Sequence, residues 1–82
     1  MKQDKAEILE QLELIFQDTF TEINHTFSID MARDDIEEWD SLSHIRLLTA
    51  IEAGFGVQFD LDEITNMNNV ATIVDLLSEK LQ

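Results

Sequence analysis

Eighty-two residues with 18 Asp and Glu against 5 Lys and Arg carry a formal charge of -13, which repels nucleic acid and anionic lipid and favours partners with basic surfaces. A chain of this length builds one modest core without room for a deep substrate cleft, so a single domain over 1–82 is expected and an enzyme is not. Cys is absent, which removes disulfides, thiolate metal ligands and any protein thiol from the chemistry and points to a cytoplasmic setting.

Met1-Lys2-Gln3-Asp4-Lys5 lacks an apolar signal core, and no apolar run approaches the roughly 18 residues that span a bilayer. A helix is predicted over 4–22, where Ile8, Leu12, Ile15, Phe16, Thr19, Phe20 and Ile23 recur at helical spacing and Glu7, Glu10, Glu13 and Asp18 fall mainly elsewhere. From Asn24 to Asp40 the periodicity fades. Six acids, Asp30, Asp34, Asp35, Glu37, Glu38 and Asp40, surround Phe27, Ile29, Met31 and Ile36, which are expected to pin the loop to the bundle. A short helical turn near 32–36 fits inside it.

Ser41 to Phe55 has apolar residues over much of its circumference (Leu42, Ile45, Leu47, Leu48, Ala50, Ile51 and Phe55), the pattern of the most buried helix, with Gly54 and Gly56 as its stop. Asp60 is placed to cap a short helix over 61–66 that carries Ile64, with Met67 following; Asn66, Asn68 and Asn69 break the turn. The last helix, 70–81, sets Val70, Ile73, Val74, Leu77 and Leu81 on one stripe. The class expected is all-α, a small bundle of three main helices plus one short one, acting as a monomer.

One serine stands out. Ser41 sits where the acidic loop meets the second helix, and a helix N-terminus offers unpaired N–H groups and a favourable dipole to a phosphodiester. Ser and Asp are also the commonest N-caps, so Asp40 or Ser41 has a purely local role available in the first turn. His44, one turn on, makes a Ser/His pair in sequence, but residues three apart on a helix are neighbours by default, and so small a bundle has no place for a deep pocket or an oxyanion hole. His44 is instead expected at the surface, to be read by partners. The acids of 30–40 lack the alternating register and central Gly of a calcium loop, and no metal site is expected.

Glu38-Trp39-Asp40-Ser41-Leu42-Ser43-His44-Ile45, then Leu47-Leu48, Ile51-Glu52, Phe55-Gly56-Val57-Gln58-Phe59 and Val70 with the final stripe, stand in an order and spacing that resemble the acyl carrier proteins of the phosphopantetheine-binding family. The resemblance covers roughly residues 5 to 81. It implies that a phosphopantetheinyl transferase moves 4'-phosphopantetheine from coenzyme A onto Ser41, giving a thiol-ended arm that carries acyl or aminoacyl groups as thioesters. Acyl- or aminoacyl-loading and transferring enzymes with basic docking surfaces would then be the partners.

On that resemblance Asp40 helps the transferase recognise the site, besides its possible cap role. Leu42 and Ile45 offer apolar contact to partners, with core packing a strong alternative for Ile45. Ile64 and Met67 are groove candidates for an acyl chain between the second and third helices, or plain core. Ser43 and Arg46 stand where carriers of fatty acid synthesis often have acids, which favours a specialised pathway, such as polyketide-like, aminoacyl or surface-polysaccharide modification. The rival reading is an unmodified acidic interaction module, an adaptor or inhibitor that docks by charge alone. An intact hydroxyl at Ser41 argues for the arm.

Overall fold

Asp or Asn starts every α-helix of the computed structural model, which describes residues 4–20 and 27–81. Asp4 accepts from the Glu7 N–H at 2.8 Å, Asp40 from Ser43 at 2.9 Å, Asp60 from Glu63 at 2.8 Å and Asn69 from Thr72 at 2.7 Å. Each satisfies a first-turn donor that has no partner within its helix. The helices so begun are α1 (Lys5–Thr19), α2 (Ser41–Phe55), α3 (Leu61–Asn66) and α4 (Val70–Lys80). At α3 the cap is reciprocal, since the Glu63 carboxylate accepts from the Asp60 N–H at 2.9 Å.

α1 packs against both α2 and α4. The core joins Ile8, Leu12 and Phe16 of α1 to Leu47, Leu48 and Ile51 of α2 and to Val70, Ile73, Val74 and Leu77 of α4. This is the all-α bundle of three main helices and one short one. α4, not α2, is the more deeply buried: it buries four of its 11 residues and α2 four of 15. The reason is the first turn of α2, where Leu42 and Ile45 face outwards. Gly56 closes α2 in the left-handed conformation (φ 69°), whereas Gly54, expected as part of the stop, lies inside the helix.

α1 ends at Thr19, where the Phe20 N–H bonds the Phe16 carbonyl at 2.9 Å; the rest of the predicted segment, with Ile23, lies outside the described residues. The loop before α2 is pinned by Met31, Ile36 and Trp39, all buried, and by Phe27, half-buried against Phe16. Ile29 is 41 % exposed and is not a pin. Arg33–Asp35 forms a single 3-10 turn within this loop. Two backbone bonds, Arg33 N–H to the Asn68 carbonyl at 2.8 Å and Val70 N–H to the Met31 carbonyl at 3.0 Å, tie the loop to the α3–α4 junction.

Candidate functional site

Asp40 is the cap of α2, so Ser41, its first residue, has no capping duty. The Asp40 carboxyl is held below its ordinary value chiefly by the Ser43 N–H, then by the Ser43 side chain, with a further contribution from the charge of Arg33. Ser41 is exposed, and its Oγ accepts a hydrogen bond from Nη2 of Arg33 at 3.2 Å. An open hydroxyl at the positive end of a 15-residue helix is placed to bear an anionic group.

Arg33 escapes a reading of the sequence, because its bonds to Trp39, Ser41 and Asn68 follow no periodic spacing and the turn that carries it is held by Asn68, 35 residues on. Its Nε donates to the Trp39 carbonyl at 3.1 Å and its Nη1 to Oδ1 of Asn68 at 3.4 Å. The backbone ties to Asn68 and Met31 bring these groups together. One signal was available: Arg33 is the only Lys or Arg between Lys5 and Arg46.

His44 is buried, 4 % exposed, contrary to the surface position expected for it. Its ring is packed beside Trp39, with the centroids 6.0 Å apart. The Trp39 indole, a donor only, gives its N–H to Nδ1 at 2.9 Å, which leaves the imidazole proton on Nε2 to donate to the Ile64 carbonyl at 2.8 Å. His44 therefore joins loop, α2 and α3. Both ring nitrogens are occupied by these bonds, so neither is placed to act as a base towards Ser41.

Beside Ser41 lies an open depression of about 250 Å³ between α2 and α3, walled by Ile45, Leu61, Ile64 and Thr65 with His44 beneath. Ile64 thus lies where a groove residue was expected. Met67 does not: fully buried, it belongs to the core and borders a different cavity of about 350 Å³ between α3 and α4. Leu42 is 69 % and Ile45 52 % exposed, so Ile45 is not core. Arg46 is exposed on the same helix. Glu52, the single acid of α2, turns its carboxylate onto the Phe59 N–H at 2.8 Å.

Among the described residues no group of three or more His, Asp or Glu is arranged to hold a metal ion, and no helix is long and apolar enough to cross a membrane.

No protein-family model matches the chain. A curated acyl carrier protein from Petrotoga mobilis (strain DSM 10674 / SJ95) is 34 % identical to it over 77 residues, which span 94 % of this chain and 91 % of that protein.

Proposed function

The chain belongs to the acyl carrier protein family, and on that premise we propose that it is a non-catalytic carrier bearing 4'-phosphopantetheine on Ser41 in a specialised biosynthetic pathway. The observation that carries this reading is the division of labour at the start of α2. Asp40 caps the helix, which leaves the Ser41 hydroxyl exposed and without a structural task there.

The residues fit the group. A phosphodiester on the exposed Ser41 hydroxyl lies at the positive end of the α2 dipole. Attachment forms a bond from Ser41 Oγ to the β-phosphorus of coenzyme A, breaks the pyrophosphate link, releases adenosine 3',5'-bisphosphate and sends the hydroxyl proton to a base of the transferase. Once attached, the arm supplies a thiol for thioester chemistry that this chain, lacking Cys, has no other means to perform. Asp40 serves the transferase as part of its recognition surface, with Leu42 exposed beside it.

His44 acts here by shape. Through its bonds to Trp39 and Ile64 it holds the wall of the depression at a fixed distance from Ser41. Ile45 and Ile64 give that wall an apolar face suited to the proximal part of a cargo.

Partner choice follows from charge. α2 has one acid, and that acid is bonded inwards, while Arg46 and Ile45 face solvent. Basic enzymes therefore meet the acids of the loop and the exposed Asp62 of α3 in place of an acidic face on α2. This distribution supports a dedicated partner set.

Intact mass of wild type and Ser41→Ala, after incubation with coenzyme A and a broad-specificity phosphopantetheinyl transferase, tests the reading. One phosphopantetheine-sized gain on the wild type alone is expected. No gain with several transferases would move the assignment to an unmodified docking module.

A further inference from the structure

Arg33 is a single cation in a loop of six acids, Asp30, Asp34, Asp35, Glu37, Glu38 and Asp40. A guanidinium in such company ordinarily pairs with a carboxylate. Among the described residues the ion pairs are Lys5 with Asp75 and Lys80 with Glu63, and Arg33 is in neither. Its donors go to three neutral oxygens: the Trp39 carbonyl, Oδ1 of Asn68 and Oγ of Ser41. The first two fix the side chain. The third aims it at the one hydroxyl that the carrier reading esterifies.

We propose that Arg33 holds the phosphodiester on Ser41, an inference that rests on the carrier reading. Esterification replaces the hydroxyl proton by phosphorus, and the non-bridging oxygens then share a negative charge next to the atom that Nη2 already touches at 3.2 Å. A bond in which only the donor is charged becomes one between opposite charges, the short Arg–phosphate kind. The planar fork of Arg suits two phosphate oxygens at once, which a Lys ammonium does not reproduce. Because Trp39 and Asn68 orient the guanidinium before modification, little side-chain freedom remains to be lost. The attachment point thus becomes an ordered root for a mobile arm, and the local positive charge offsets the repulsion that surrounding acids exert on an added anion.

The test uses 15N-labelled wild type, Arg33→Gln and Arg33→Lys, each treated with coenzyme A and a broad-specificity transferase and checked by intact mass. In fully modified wild type, the Arg33 Nη–H resonances shift downfield and the phosphorus-31 nucleus relaxes with the tumbling of the protein. In modified Arg33→Gln the phosphorus relaxes as a mobile group; Arg33→Lys falls between the two. An Arg33 resonance that does not move on modified wild type, or equal phosphorus relaxation in wild type and Arg33→Gln, overturns the role of Arg33 and leaves the carrier reading standing. A wild type that gains no mass overturns the carrier reading and this inference with it. The wild-type measurement needs no variant to fold.

Discussion

Removing the Ser41 hydroxyl takes an acceptor from Arg33 but no cap from α2, because the first-turn bond comes from Asp40. Ser41→Ala is therefore expected to cost less than about 1 kcal/mol, whereas Asp40→Ala loses a cap and costs about 1 kcal/mol. Urea unfolding of the two variants separates them; a larger loss for Ser41→Ala would mean that the hydroxyl has a structural duty after all. The charge of Asp40 has its own signature. Its carboxyl is lowered in the folded protein, from an ordinary value of 3.8. The stabilisation this charge gives is present in full above that ordinary value and is lost as pH falls through the lowered one. Asp40→Asn keeps a competent cap and removes the charge. Wild type is thus expected to melt above Asp40→Asn at neutral pH and to converge on it in strong acid; a gap independent of pH would assign the difference to shape alone.

At the scale of helices and the loop between them, the bundle rests on two different kinds of contact, and substitutions distinguish them. Ile73 is fully buried between helices, and Ile73→Ala should cost about 2–5 kcal/mol through lost contacts and a cavity. His44→Phe keeps the bulk but leaves the Trp39 N–H and the Ile64 carbonyl without their partner, at a cost of about 1–3 kcal/mol. Fluorescence of Trp39, the single Trp, reports the difference: its emission should shift in native His44→Phe and stay near the wild-type position in native Ile73→Ala. Unchanged emission in His44→Phe would mean that the indole bond is dispensable to the loop. The same division explains what the sequence disclosed. Helical periodicity marks the stripes of Ile8, Leu12 and Phe16 and of Ile73, Val74 and Leu77, because those residues are buried by a repeating geometry within one element. Burial of His44 and convergence of Arg33 on Ser41 depend on single bonds between different elements, Trp39 to His44 to Ile64 and Arg33 to Asn68, and these leave no periodic trace. Ile45 fits an apolar helical pattern and still faces solvent, since periodicity records polarity and not what covers each face. The hydroxyl at Ser41 was visible because it sits at a boundary between composition regimes.

Over the whole molecule the charge of -13 acts within a radius of gyration of 11.7 Å. Screening falls off over about 10 Å at 0.1 M salt and about 30 Å at 0.01 M. At low salt, then, the acids of the loop, α1 and α3 all repel one another across a body whose longest extent is 35 Å, and compaction works against that repulsion. Among the described residues two cation pairs, the exposed Lys5 with Asp75 at 2.8 Å and the partly buried Lys80 with Glu63 at 3.0 Å, offset only a small part of it. Adding sodium chloride weakens both the pairs and the repulsion. Since repulsive charges far outnumber paired ones, the repulsion term wins and stability should rise. The melting temperature is expected to climb between about 0.01 and 0.2 M salt, then flatten once the screening length is shorter than the spacing between most acids. Ser41→Ala should follow the same curve as wild type, because it changes no charge. A melting temperature that stays level or falls over this range would show that the ion pairs outweigh the repulsion, and that the acids of this chain are arranged to cost the fold little.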